Sequence, residues 1–311
     1  MKAVALTEFG GPEVLSLQEL PDPIVGPDFV LVEPRAVGVN PVDWKIRQGY
    51  LRGIYPHHTP LIPGWDVAGV VRAVGPAVTE FRPGDEVLGY ARKDHVQGGT
   101  YAELVSVPVR GLAHKPAELD FERAGALPLA GLTALQTLEA VRVGDGDTVL
   151  VHAAAGGVGH FAVQLARQLG ASRVIGTASE RNHGFLRELG AEPVTYGEGL
   201  VSRVADLVGG DGKVDAVVDY VGGQALTDSV ELVRDPARHA SIVDPDQVLN
   251  QGGRYVFVRP NADQLAWLAQ LASYGQLRIE LERTYPLEQA ADAQRHLEQG
   301  HVRGKLVLIV K

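Results

Sequence analysis

Two hydrophobic rhythms divide the chain. From about Phe121 onward, apolar residues at three- and four-residue spacing alternate with short apolar runs at Thr148–His152, Arg173–Thr177, Val214–Tyr220 and Gly253–Val258. The first rhythm is that of an amphipathic helix and the second that of a strand buried on both faces. Their alternation predicts an α/β fold with a doubly wound parallel sheet. Earlier runs, at Lys2–Leu6, Phe29–Ala36, Asp66–Val74 and Glu103–Pro108, are β-rich and cut by glycine and proline. No long helical pattern lies between them, which predicts a compact antiparallel β domain. After about Gln276 comes one more helix, with Pro286 at its start and Gly300 at its end, and then a strand at Lys305–Val310. A lone helix and strand cannot make a core, so this tail is expected to return to the first domain. The expected domains are 1–120 with 276–311, and 121–275 between them.

The stretch from Thr148 to Gly170 concentrates the candidate chemistry. The strand run ends at His152, Gly156, Gly157 and Gly159 follow, and Phe161, Ala162, Leu165, Ala166 and Leu169 then recur at helical spacing. Strand, glycine turn and helix in that order make a dinucleotide-binding unit, with Ala154, Gly156 and Gly159 on the G-x-G-x-x-G positions. Alanine replaces the first glycine. A side chain at Gly156 would stand between backbone and pyrophosphate, and one at Gly159 would push the helix off the strand. The helix start adds N–H donors and a positive dipole end, which suit a diphosphate without any lysine. Ala154, Gly156, Gly157, Val158 and Gly159 are therefore the candidate pyrophosphate residues. The alternative is a tight turn without a ligand.

Composition narrows the partners. Hydrophobic residues are 45% of the chain and charged residues 22%, with no apolar run long enough to span a bilayer and no signal pattern over Met1–Phe9. A cytoplasmic protein with no membrane contact is expected. The net charge of −9, without a basic cluster, argues against nucleic acid as the main partner. The absence of cysteine excludes disulfides, thiolate chemistry and cysteine-ligated zinc.

Further motifs lie along the chain in a fixed order: Asn40-Pro41-Val42-Asp43, Pro63-Gly64-Trp65-Asp66, Pro83-Gly84-Asp85-Glu86-Val87, Gly98-Gly99-Thr100-Tyr101, Gly131-Leu132-Thr133-Ala134, Ala153 to Gly159, and Gly304-Lys305-Leu306-Val307. In this order they resemble the zinc-independent quinone oxidoreductases of the medium-chain dehydrogenase/reductase superfamily, over essentially the whole chain. The resemblance implies a chaperonin-10-like β-barrel domain split between the two termini, a Rossmann domain between, and an active site in the cleft where they meet. It also implies a homodimer formed at the sheet edge near Gly253–Val258. Zinc members of the superfamily hold their metal with a cysteine near the position of Asn40 and a His-Glu pair near Trp65-Asp66. Here those positions carry neither cysteine nor histidine, and no metal site is expected.

Without a metal, a substrate oxygen must be polarised by hydrogen bonds, and the reaction must rely on positioning. Asn40 is the candidate polar group, its amide able to donate to a substrate oxygen or to hold the cofactor. Alternatively, Asn40 and Asp43 cap the helical turn after Pro41. By resemblance Tyr50 and Tyr55 lie in the segment that overhangs the nicotinamide. Either phenol could donate a proton, or both could pack on the cleft wall. The resemblance places Thr133 on the nicotinamide side of the cofactor and Tyr196 over its phosphate-bearing ribose. Val221, in the Asp219–Gly223 stretch, sits where backbone groups at the ligand edge of the sheet line the cofactor.

The end of the second strand of the dinucleotide unit points to NADPH. NAD-specific domains carry an acidic residue there, about 20 residues past the glycine turn. Here that position falls on Ala178, followed by Ser179, Arg181 and Asn182, each able to donate to phosphate oxygens. The expected activity is NADPH-dependent, metal-free hydride transfer to a quinone or activated alkene. The alternatives are an enoyl or alkenal reductase of the same architecture, or a non-catalytic NADPH-binding regulator.

Overall fold

The two rhythms become two kinds of sheet. The computed structural model describes all residues from Met1 to Lys311. They form two compact units, Met1–Leu132 with Arg259–Lys311, and Thr133–Val258.

The first unit opens with β1 (Lys2–Ala5), β2 (Ser16–Glu19) and the long β3 (Phe29–Val39), which leads into helix α1 (Pro41–Arg47). There follow β4 (His57–Ile62), β5 (Asp66–Val74), β6 (Glu86–Tyr90), β7 (Val96–Gly98), β8 (Val105–Pro108) and β9 (Leu112–His114). Helices α2 (Phe121–Ala126) and α3 (Pro128–Ala140) follow in the chain.

The second unit alternates strand and helix: β10 (Thr148–Val151), α4 (Gly159–Gln168), β11 (Arg173–Ala178), α5 (His183–Glu188), β12 (Glu192–Thr195) and α6 (Leu200–Val208). It continues with β13 (Ala216–Asp219), α7 (Gln224–Leu232), β14 (His239–Ser241), α8 (Pro245–Asn250) and β15 (Arg254–Tyr255). Its six strands run in the order β12-β11-β10-β13-β14-β15, and all pairings are parallel. Val149, Leu150, Val151, Val217 and Val218 are fully buried, as strands covered on both faces require. This is the doubly wound α/β fold expected from the sequence.

The tail returns to the first unit with α9 (Ala262–Ser273), β16 (Leu281–Pro286), α10 (Ala290–Glu298) and β17 (Lys305–Ile309). β17 pairs antiparallel with β3, Leu306 facing Val39. The seven-stranded sheet of this unit follows the order β16-β17-β3-β5-β6-β9, with β8 also on β3.

Three local features differ from the sequence expectation. The run Gly253–Val258 forms a strand only at Arg254–Tyr255, because it is the edge of its sheet and pairs on one side alone. Pro286 caps a helical turn over Leu287–Gln289 that runs into α10, as expected, but it also ends a strand, β16, that the sequence did not mark. β16 carries the charged, mostly exposed residues of an edge strand, so its hydrophobic period is faint. The units also divide at Leu132/Thr133 and Val258/Arg259 rather than near residues 120 and 276. α2 packs on β3 and β5, and α9 on β9, so segments with a helical pattern go with the β unit.

Candidate functional site

In a parallel sheet all strands end at one edge, and the candidate cofactor residues of the second unit lie there. The glycine turn follows β10, Ser179 follows β11, Tyr196 follows β12, and Val221 comes just after β13. β10 and β13 are neighbours, and β11 lies on the far side of β10, so strand order reverses between them. Ligands of doubly wound sheets bind at such a switch point.

Space shapes the turn. A Cβ at Gly159 would stand 2.2 Å from the Ala153 carbonyl oxygen and 2.6 Å from Ala154 Cα, so only glycine lets α4 approach β10 this closely. At Gly156 a Cβ would meet the Ala153 oxygen at 3.3 Å and nothing else within 4 Å, which leaves room for a ligand. The N–H of Ala154 donates to the Thr177 carbonyl at 2.9 Å and that of Ala153 to Thr177 Oγ1 at 3.1 Å, fixing the turn to β11. Ala153 has φ of 51°, a left-handed conformation that costs a non-glycine residue about 1 kcal/mol. Ala154 fits in place of the first motif glycine because Gly176 opposite it has no side chain. A Cβ there would lie 2.8 Å from Ala154 Cβ. The N–H groups of His160, Phe161 and Ala162 already donate to the carbonyls of Gly156 and Val158, which leaves the backbone around Gly157, Val158 and Gly159 to meet a pyrophosphate.

At the end of β11, Ala178 is buried and Ser179 leads into a single helical turn over Glu180–Asn182. Asn182 donates to Ser179 through its backbone N–H at 2.8 Å and its side chain at 3.4 Å, while Arg181 is exposed. Tyr196 is 49% exposed on a loop that Arg203 pins by donating to the carbonyls of Thr195 and Glu198, each at 2.8 Å. Val221 is exposed, and its N–H donates to Asp219 Oδ1 at 3.1 Å. The buried Asp219 carboxylate also accepts from the Gly222 N–H and, at 2.6 Å, from the Ser241 hydroxyl. Thr133 is buried in α3, where its carbonyl accepts from the Thr137 hydroxyl.

In the first unit Asn40 does two jobs. It is the N-cap of α1, where its N–H donates to Asp43 Oδ2 at 2.8 Å, and its side chain belongs to a buried polar network. Asn40 Nδ2 donates to Asp66 Oδ2 at 2.8 Å, and Lys305 Nζ donates to Asn40 Oδ1 and, at 3.2 Å, to the Val39 carbonyl. These bonds fix which way the carboxamide points. Asp66 Oδ1 accepts the Leu129 N–H at 2.7 Å, and Tyr101 donates to Asp43 Oδ2 at 2.9 Å.

Burial raises the Asp43 carboxyl to about 7 against the bonds from Asn40 and Tyr101. It raises Asp66 to about 6, opposed chiefly by the Lys305 charge. Burial also lowers the Lys305 ammonium, so although Lys305 Nζ and Asp66 Oδ2 lie 3.8 Å apart, desolvation outweighs their attraction on both sides. An amide, a carboxylate committed to other donors and an ammonium do not make a zinc site. No group of three or more His, Cys, Asp or Glu residues is arranged to hold a metal ion.

Tyr50 and Tyr55 part company. Tyr50 is 67% exposed, its ring edge-on to Trp44 at 6.3 Å. Tyr55 is half-buried, edge-on to Trp65 at 6.2 Å, and its hydroxyl accepts from Arg92 Nη1 at 2.7 Å. Asp66, Tyr101, Lys305 and Arg92 were not singled out from the sequence as site residues. A buried Lys or Asp looks like a surface residue until its distant partners are known, although Asp66 and Lys305 both stand inside the quoted motifs.

Residues 26–117 match the alcohol dehydrogenase GroES-like domain and residues 189–308 the zinc-binding dehydrogenase family. The chain is 34% identical to an NADPH-dependent alkenal/one oxidoreductase of Arabidopsis thaliana, across 99% of the chain and 79% of that protein. It is also 34% identical to a quinone oxidoreductase of Pseudomonas aeruginosa, across 99% of both. Among solved structures, a quinone oxidoreductase from Coxiella burnetii aligns with TM-score 0.89 and 37% identity, across 100% of this chain and 99% of that one. The Escherichia coli quinone oxidoreductase complexed with NADPH aligns with TM-score 0.84 and 29% identity, across 99% of this chain and 100% of that one. With the GroES-like and Rossmann units each in place, the chain belongs to the quinone oxidoreductases of the medium-chain dehydrogenase/reductase superfamily.

Proposed function

We propose that this protein is a metal-free reductase that uses NADPH to reduce a quinone or an activated carbon–carbon double bond. One observation carries most weight: the glycine turn shares its sheet edge with the end of β11, where Ala178 stands at the position of the acidic residue of NAD-specific domains and Ser179, Arg181 and Asn182 follow, with Glu180 among them. When bound, NADPH supplies a hydride from C4 of its nicotinamide. Ala154, Gly156, Gly157, Val158 and Gly159 bind the pyrophosphate, and Ser179, Arg181 and Asn182 the 2′-phosphate. Tyr196 covers the ribose, and Thr133 and Val221 serve the nicotinamide side. Asn40, its carbonyl engaged by Lys305 and one amide hydrogen by Asp66, keeps a second N–H for a substrate or cofactor oxygen. Tyr50 and Tyr55 are the candidate proton donors.

The names of the relatives support both acceptor classes, alkenals or enones and quinones. Zinc independence is supported by the lack of cysteine and by the Lys305 ammonium, which already engages the Asn40 side-chain oxygen. A homodimer is supported by edge strand β15, followed by the 40% exposed Phe257, which leaves ladder groups for a second copy. The test is NADPH oxidation against a panel of quinones, enones and alkenals, before and after dialysis against a chelator. Turnover that survives chelation is expected. NADPH binding without turnover of any acceptor defeats the enzyme, and activity lost with stoichiometric zinc defeats metal independence.

A further inference from the structure

Arg92 pairs with Tyr55, one of the two candidate proton donors. The hydrogen bond between them is 2.7 Å long, and a guanidinium can only donate, so the Tyr55 oxygen accepts and its own hydrogen is presented away from Arg92. The Tyr55 ring is held edge-on by Trp65 at 6.2 Å, and Trp65 in turn meets Tyr90 at 6.0 Å. The Arg92 guanidinium lies 5.7 Å from the centre of the Tyr90 ring, so two aromatic rings fix its place. Tyr90 itself is fully buried with an unpartnered hydroxyl, and burial holds it far above the usual phenol range. Of the two phenols beside Arg92, Tyr55 is the one placed to give up a proton.

We propose that Arg92 is the positioning residue for a Tyr55 general acid that protonates the α-carbon of an enone during its reduction. The step rests on the reductase function proposed above. Hydride from the nicotinamide donor forms the C–H bond at the β-carbon, and the π pair of the double bond moves onto the α-carbon and carbonyl as an enolate. The Tyr55 O–H bond then breaks, its proton joins the α-carbon, and its electron pair stays on the phenol oxygen. Arg92 Nη1 now faces a full negative charge, and a bond to an ion is roughly twice as strong as a neutral one. Water returns the proton to the half-exposed phenol. A quinone makes a smaller demand, because its reduced form carries charge on oxygen and takes a proton directly from water. The pair therefore sets preference for enones over quinones.

The experiment compares the parent with Tyr55→Phe, Arg92→Gln, Arg92→Lys and the Tyr55→Phe/Arg92→Gln double variant, using methyl vinyl ketone and p-benzoquinone with NADPH. Enone kcat is expected to fall on the order of 100-fold in Tyr55→Phe and about 10-fold in Arg92→Gln, with Arg92→Lys recovering part of that loss. The enone-to-quinone ratio falls in each. The double variant is no slower than Tyr55→Phe, because Arg92 acts only through the phenol. In the free protein, the carbon-13 resonance of the oxygen-bearing Tyr55 ring carbon, identified by its loss in Tyr55→Phe, shifts in Arg92→Gln. Losses that multiply in the double variant, equal losses for both acceptors, or an unmoved resonance would overturn the proposal. A parent that reduces quinones and no enone defeats this step alone, whereas one that turns over no acceptor defeats the reductase itself.

Discussion

The glycine turn after β10 and the polar network around Asn40 deal with charge in opposite ways. The turn contains no ionisable side chain: it offers backbone groups, a helix start and empty space to the pyrophosphate proposed for it. The network already holds Asp43, Asp66 and Lys305, all buried, and bears the cost of desolvating them in the resting protein. The turn is thus sensitive to volume and the network to the number of protons it holds.

The largest test of this contrast is Lys305→Met, which leaves two buried carboxyls without their cation. Both have a higher proton affinity in the folded chain, about 7 for Asp43 and about 6 for Asp66, than their ordinary value of 3.8. The folded chain keeps protons that the unfolded chain has released, so these groups make stability fall as pH rises from about 4 to about 7. Lys305→Met should therefore cost about 3–5 kcal/mol at pH 8 and clearly less at pH 5, where Asp66 is protonated. Denaturant melts at the two pH values check this, and a pH-independent loss would reduce Lys305 to packing.

Next in size, Gly156→Val should leave the fold standing, since a Cβ there meets one atom at 3.3 Å, while NADPH affinity drops about 100-fold or more. Fluorescence titration beside a thermal melt separates the two effects. Unchanged affinity would move the pyrophosphate elsewhere.

Arg181→Ala removes one charge-assisted bond, worth about 1.5–3 kcal/mol, and should weaken NADPH roughly 10- to 150-fold with NADH nearly unchanged. Equal losses for both cofactors would remove Arg181 from the phosphate site.

The smallest effect concerns how the turn tolerates alanine. Gly176→Ala should cost about 1–3 kcal/mol through its 2.8 Å clash with Ala154 Cβ, and Ala154→Gly in the same chain should recover most of it. A double-variant cycle with no coupling would show that the two positions do not share that space.

The same contrast explains what could be read from the sequence. The turn is built from neighbours between Thr148 and Gly170, so strand, glycines and helix announce each other locally. The network draws on Asn40, Asp43, Asp66, Tyr101, Leu129 and Lys305, which only the folded sheet brings together. Asn40 was legible as a polar candidate and as a helix cap, yet nothing in its neighbourhood announced Lys305. Tyr50 and Tyr55 looked equivalent because exposure and the bond to Arg92 are tertiary facts. β16 escaped because its partner β17 supplies the order that its own charged sequence lacks.

The pairing of β17 with β3 also sets an order of assembly during synthesis. Thr133–Val258 is contiguous and leaves the ribosome with all its strands, so it can fold while the chain is still growing. The unit begun at Met1 lacks β16 and β17 until the chain has passed Ile309, and until then β3 has an open edge. Lys305 reaches Asp66 from far along the chain, the kind of distant closure that slows folding. The nascent chain must therefore carry Asp43 and Asp66 without their cation for most of its time on the ribosome.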